Sequence, residues 1–166
     1  IMKIFNNGET IERFKIGNGS GSLFRSVAHN GNGVYVAGGY SGVLAISKNG
    51  GYQWQYLFTG NNQNINKIKF RNTNFGMAAC DNGYVLKTID GGNSWTVINT
   101  GFQKHLNSIS FAPNGAIYIS GQDGLILKSL NDGGSFGAIG NLTTEHLRDV
   151  CMLNDQIGFI CGNNGT

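Results

Sequence analysis

The feature that most constrains this chain is a period of 41 residues. Segments 23–57, 64–98 and 105–139 align without gaps, and Trp54, Trp95 and Phe136 fall in one column. A repeat of this length marks one supersecondary unit that cannot bury its apolar face alone, so neighbouring copies must stack. Alternation within a period predicts four short strands. The first carries its large side chains two apart, as in Val27/His29, Ile68/Phe70, Ile109/Phe111 and Val150/Met152. The second is small and apolar (VYVAG, GMAAC, AIYISG, GFICG) and runs into a turn written GYSG, CDNG, GQDG or GNNG. Asn-Gly and Asp-Gly steps supply the positive φ that a two-residue hairpin requires. The third strand is VLAIS, VLKTI or LILKSL, and the fourth begins at the aromatic column. Four strands per period is the content of a propeller blade. The expected fold class is therefore all-β, a four-bladed β-propeller of four-stranded antiparallel blades.

The two ends of the chain are in phase with each other. Residues 146–166 match only the first two strands and the turn, whereas residues 1–16 match only the last two. The third strand starts at 4, 47, 88 and 129, and passing from 129 through both ends back to 4 again takes 41 residues. One domain over 1–166 is expected, with blades at 23–58, 64–99 and 105–140 and a composite blade made of 146–166 plus 1–16. Strands shared by the two termini would close the ring and remove open sheet edges. The same phase fits a piece of a longer array, or two chains paired into an eight-bladed ring, so monomer and homodimer both stay open.

Composition agrees and excludes several functions. Twenty-seven glycines against one proline, with 13% charged residues, suit short strands joined by tight turns. The net charge of +3 is scattered and forms no basic run, so nucleic acid is not expected as a partner. No apolar stretch is long enough for a membrane-spanning helix. The chain reads as soluble, with an exported, cell-surface or virion-associated location left open. Cys80, Cys151 and Cys161 are odd in number and lack C-x-x-C spacing, so neither a zinc site nor a disulfide framework is indicated. No metal and no cofactor are expected.

The turn between the third and fourth strands reads Thr88-x-Asp90-x-Gly92-x-Ser94-Trp95. Its relatives are Ser47-x-Asn49-x-Gly51-x-Gln53-Trp54, Ser129-x-Asn131-x-Gly133-x-Ser135-Phe136 and a degenerate Ile4-x-Asn6-x-Gly8-x-Thr10-Ile11. The pattern resembles the Asp box, or bacterial neuraminidase repeat. Asp or Asn can fold back on the following amides, Gly takes the left-handed conformation, and the aromatic plugs the turn, so the motif reads as a hairpin lock rather than chemistry. The stretch from Val85 to Trp95 (VLKTIDGGNSW) is similar to photosystem II stability and assembly factor-like repeats. That resemblance implies a non-enzymatic propeller that binds other proteins. Sialidases share the box, but their arginine cluster and Tyr/Glu pair are not evident among Arg13, Arg25, Arg71 and Arg148.

Candidate binding residues come from the start of the first strand. One column reads Arg25, Asn66, Asn107 and Arg148, and the next Ser26, Lys67, Ser108 and Asp149. Lining the axis, they would form a polar ring suited to a carboxylate-bearing partner. His105 and His146 share a column at the strand entrance, where two imidazoles could in principle approach one metal. The blade-linking loops 17–22, 59–64, 99–104 and 140–145, with aromatics Tyr40, Tyr52 and Phe102, would suit shallow sugar sites. The leading expectation is thus a non-catalytic module that binds a protein through one rim. A carbohydrate-binding module of lectin or phage-tail adhesion type is the alternative, and a sialidase-like enzyme trails both.

Overall fold

A computed structural model describes residues 1–14, 16, 23–140 and 142–166. The chain opens with a hairpin of β1 (Met2–Phe5) and β2 (Thr10–Arg13). Three four-stranded antiparallel blades follow. Blade one is β3 (Phe24–His29), β4 (Tyr35–Gly39), β5 (Leu44–Ser47) and β6 (Gln55–Leu57). Blade two is β7 (Ile65–Phe70), β8 (Gly76–Cys80), β9 (Tyr84–Thr88) and β10 (Thr96–Asn99). Blade three is β11 (Leu106–Phe111), β12 (Ile117–Gly121), β13 (Ile126–Ser129) and β14 (Gly137–Ala138). A second hairpin, β15 (Leu147–Met152) and β16 (Gly158–Gly162), ends the array.

Stacking of blade on blade makes the core. Val36, Leu44 and Ile46 of blade one meet Ile65, Ile68, Ala78 and Leu86 of blade two, all buried. Met77, Ala79 and Val85 of blade two meet Leu106, Ile109, Ile117, Ile119 and Leu127 of blade three. Full burial of one such side chain stabilises by roughly 1.5–3 kcal/mol, and each interface contains several. Small residues in the second strand let the large first-strand residues approach. A Cβ at Gly38 would lie 2.7 Å from Ile65 Cγ2 and 2.9 Å from Ile68 Cδ1.

The turns between second and third strands explain their sequence. Asn82 and Gly83 have φ of 54° and 75°, the paired left-handed residues of a hairpin turn whose twist suits the flanking strands. Gly83 is constrained twice, because a Cβ there would sit 1.6 Å from the Phe102 carbonyl oxygen of the blade-linking loop. Carbonyls of that kind crowd Gly42 and Gly124 as well.

The closed ring is not formed. Among the described residues β1 pairs only with β2 and β15 only with β16, so the two terminal segments make two separate half-blades instead of the composite blade of 146–166 plus 1–16. The N-terminal hairpin lies against blade one, where Lys3 Nζ sits 3.9 Å over the Tyr52 ring and Phe14 meets Tyr52 edge-on at 5.7 Å. The Tyr56 hydroxyl also donates to the Ile16 carbonyl at 3.1 Å. Each half-blade stacks on its covalent neighbour, which needs no long-range closure. The step between blades is set by side-chain volumes at each contact and does not bring the two ends together.

Candidate functional site

The Asp boxes are structural locks built on local geometry. Thr88 Oγ1 donates to Asp90 Oδ1 (2.8 Å) and accepts from the Gly92 amide (2.9 Å). Asp90 Oδ1 accepts from the Ser94 amide at 2.9 Å, and Trp95 Nε1 donates to the Gly92 carbonyl at 3.0 Å. The same ring of bonds recurs through Ser47, Asn49, Gly51 and Trp54. It recurs again through Ser129, Asn131 and Gly133, where Phe136 supplies the ring without an indole donor. Partial desolvation pushes the Asp90 carboxyl up, but donation from the Ser94 hydroxyl and amide, then Thr88 and the Asn93 amide, outweighs it and holds the group below its ordinary value. The fourth copy keeps the backbone form, with Asn7 and Gly8 at φ 54° and 99°, although Ile4 has no hydroxyl to contribute.

The inner strands β3, β7, β11 and β15 converge on the axis, and the expected polar ring there is largely committed to holding blades together. The Asn66 side-chain amide donates to Asp81 (2.7 Å) and to the Leu106 carbonyl of the next blade (2.8 Å). Asn107 donates to the Leu147 carbonyl at 2.7 Å. Arg25 lies over Tyr40 at 5.1 Å, and Arg148 Nε donates to Asn163 at 2.8 Å. The four side chains of that column therefore take separate partners. Lys67 and Asp149 do come together, at 3.7 Å, bridging blade two to the terminal half-blade across blade three. The Ser108 hydroxyl also donates to Asp149. Desolvation raises the Asp149 carboxyl, and the Ser108 bond, the Lys67 charge, the Val150 amide and the Lys69 charge more than reverse it, so its pKa is lowered.

His105 and His146 hold turns. His105 Nδ1 accepts from the Asn82 amide and His146 Nδ1 from the Asp123 amide, each at 3.2 Å. Asn64, in the same column, accepts from the Ser41 amide at 2.9 Å. Asn64, His105 and His146 thus each cap the turn of the preceding blade. The exposed-aromatic expectation divides. Tyr40 and Tyr52 are exposed but engaged by Arg25, Lys3 and Phe14, while Phe102 packs on the core between blades two and three. Loop 17–22 lies outside the described residues.

The concavity is at the other end of the inner strands. A groove of about 670 Å³ runs across all four, with Lys67, Lys69 and Arg71 giving it positive charge, His29 at its edge, and Phe111 and Met152 giving it apolar floor. No carboxylate lines it among the described residues. Arg71 is held by Asp132 at 2.6 Å and stacks on Phe75 at 4.0 Å. Lys69 forms no ion pair at contact distance among the described residues, and although Asp149 feels its charge, its ammonium can still meet a ligand in the groove. Sequence columns place Lys69 and Arg71 opposite Ser110 and Ala112, so no repeated chemistry marks them, and the only available signal is the 67–69–71 spacing of three cations on one strand. His29 is exposed and stacks on Tyr35 at 4.6 Å.

Residues 53–145, more than half of the chain, match the family model described as photosynthesis system II assembly factor YCF48. The chain belongs to that family. No curated protein sequence matches it. Among solved structures, "YCF48 bound to D1 peptide" is 18% identical with a TM-score of 0.74, covering 98% of this chain and 53% of its own. "YCF48 from Cyanidioschyzon merolae" is 15% identical with a TM-score of 0.75, covering 96% of this chain and 59% of its own. The computationally designed Ika4 protein is 16% identical with a TM-score of 0.67, and 92% of each chain is covered. The chain thus spans little more than half the length of the two YCF48 structures and shares their Asp-box β-propeller fold. No helix among the described residues is long and apolar enough to cross a membrane.

Proposed function

We propose that this YCF48-family chain is a non-catalytic binding module that receives an extended, acidic segment of a partner protein in the axial groove. The observation that carries this reading is the meeting of four inner strands on one open groove lined by His29, Lys67, Lys69 and Arg71. An extended segment can span the strand ends, and its carboxylates would find Lys69 and the outer atoms of Arg71. Support comes also from the family relationship, one of whose solved members is described as bound to a D1 peptide. The polar side chains that might suggest catalysis are spent on turns and blade contacts, His105 and His146 included.

Fluorescence anisotropy with labelled twelve-residue peptides tests the reading. Acidic peptides should bind, weaken with added salt, and lose about tenfold in affinity, ~1.4 kcal/mol, on Lys69→Glu. Equal binding of acidic and uncharged peptides, with no response to Lys69→Glu, would refute it.

A further inference from the structure

Arg71 stands where three hollows meet. Besides the axial groove it lines two furrows on the rim that carries the Asp boxes, each between the loops that join the first and second strands of adjacent blades. One, of about 430 Å³, lies between blades one and two, and the other, of about 530 Å³, between blades two and three. Both are bounded by blades already stacked on each other, in the interior of the array.

The two furrows differ in what they offer. Between blades one and two, Asn30 is buried and fully committed. Its Oδ1 accepts from the Asn32 and Val34 amides at 2.8 and 3.3 Å, and its Nδ2 donates to the Thr73 and Gly91 carbonyls at 3.0 and 3.4 Å. No Leu, Ile, Val or Met lines that furrow among the described residues. Between blades two and three, Asn72 and Asn114 hold their own loops through Oδ1. Asn72 accepts from the Asn74 and Phe75 amides at 3.0 and 2.8 Å, and Asn114 from the Ala116 amide at 2.9 Å. Because those partners are backbone N–H groups, the oxygen of each carboxamide must face them, and each Nδ2 keeps its two hydrogens for another acceptor. Leu130, on the same furrow, is 76% exposed at the second position of its Asp box.

Charge divides the groove from this furrow. Lys67 and Lys69 line the groove, whereas the furrow has the Asp132 carboxylate, 2.6 Å from Arg71, and Asp155 accepts from the Asn114 amide at 2.7 Å. Arg71 and Pro113 belong to both hollows, so an extended chain passes from one to the other within a few residues.

We propose that the partner segment leaves the axial groove through the furrow between blades two and three, so that the site reads an acidic stretch joined directly to a neutral, apolar one. The inference rests on the reading that the groove receives an acidic segment. The carboxylates stay beside Lys69. Past Arg71, the Asn72 and Asn114 amides donate to main-chain carbonyls of the segment, and an aliphatic side chain lies on Leu130 and Pro113. Carboxylates beyond Arg71 are repelled by Asp132 and Asp155, which fixes the register of the charge boundary.

Anisotropy on the 166-residue chain tests this with labelled twelve-residue peptides, half glutamate and half serine, made in both chain directions and with or without two leucines in the serine half. In one direction the leucine-bearing peptide should bind about fivefold more tightly than its serine parent. Leu130→Ser, an exposed substitution whose fold is checked by an unchanged urea midpoint, should remove that advantage, and Lys69→Glu should weaken both peptides alike. A benzophenone side chain in place of one leucine should label residues 113–115 or 130–132. Acidic peptides that bind and respond to Lys69→Glu, yet gain nothing from leucine in either direction, overturn this inference and leave the groove reading standing. Labelling confined to residues 29–31, or a leucine advantage that survives Leu130→Ser, overturns it as well. Peptides that do not bind at all overturn both.

Discussion

Replacing Thr88 by valine isolates what the box hydroxyl does for the hairpin. The side chain is buried, its shape is kept by valine, and only the hydroxyl is lost. Three bonds go with it: donation to Asp90 Oδ1 at 2.8 Å and acceptance from the amides of Gly92 at 2.9 Å and Asp90 at 3.4 Å. The Gly92 amide is the costly one, because Gly92 is buried and its N–H is left without an acceptor. An orphaned buried donor costs roughly 1–3 kcal/mol, and a hydrogen bond to a charged group about 1.5–3. The added methyl offsets part of this, by about 1 kcal/mol. The expected net loss is about 2–3 kcal/mol. With a urea m-value of ~2–3 kcal/mol/M, the unfolding midpoint should fall by about 1 M at unchanged slope. Asp90→Asn is the control, since Asn49 and Asn131 hold the same amides in their own boxes at 2.9 Å. It should cost less than about 1 kcal/mol, in the range of a single net hydrogen bond. A Thr88→Val variant as stable as the parent, or an Asp90→Asn variant equally destabilised, would refute the assignment of the lock to the buried hydroxyl.

Thiol chemistry should separate the three cysteines. Burial, reinforced by the negative charge of Asp81, pushes the Cys80 thiol up to about 12, while Cys151 and Cys161 are exposed. A maleimide probe at neutral pH should label two sites on the native chain and the third only in denaturant, and rapid labelling of Cys80 would show that the contact between blades one and two opens readily. Acid should weaken the fold through Asp90 and Asp149, whose pKa values are lowered from 3.8. A depressed folded pKa contributes stability that is complete above the unfolded value and lost as pH falls through the folded one. The urea midpoint should therefore be insensitive to these groups near neutrality and decline below about pH 4, with Asp149→Asn removing part of the decline. A midpoint that rises between pH 4 and pH 3 would contradict the sign.

How much was legible in the sequence follows from the range of each interaction. The box joins residues two and four apart, as in Thr88, Asp90, Gly92 and Ser94, and so is written in a short string that repeats. Strands and turns were legible for the same reason. Closure was not, because the rotation from blade to blade depends on how side chains such as Gly38, Ile65 and Ile68 fit, and a period in the sequence carries no angle. The Asn66 and Asn107 positions of the candidate binding column have a structural cause. A bulge between Ile65 and Lys67, repeated between Leu106 and Ser108, leaves Asn66 and Asn107 out of the β-ladder with their amides against the next blade's backbone. Their recurrence therefore reports a recurring structural need. The groove obeys the opposite logic. Lys69 shares its column with Ala28, Ser110 and Cys151, and Arg71 shares its own with Asn30, Ala112 and Leu153. Arg71 still packs on Phe75 and pairs with Asp132, whereas Lys69 departs from the repeat without an ion pair among the described residues; in a scaffold of near-identical units such a position is one at which a single blade can acquire a partner of its own.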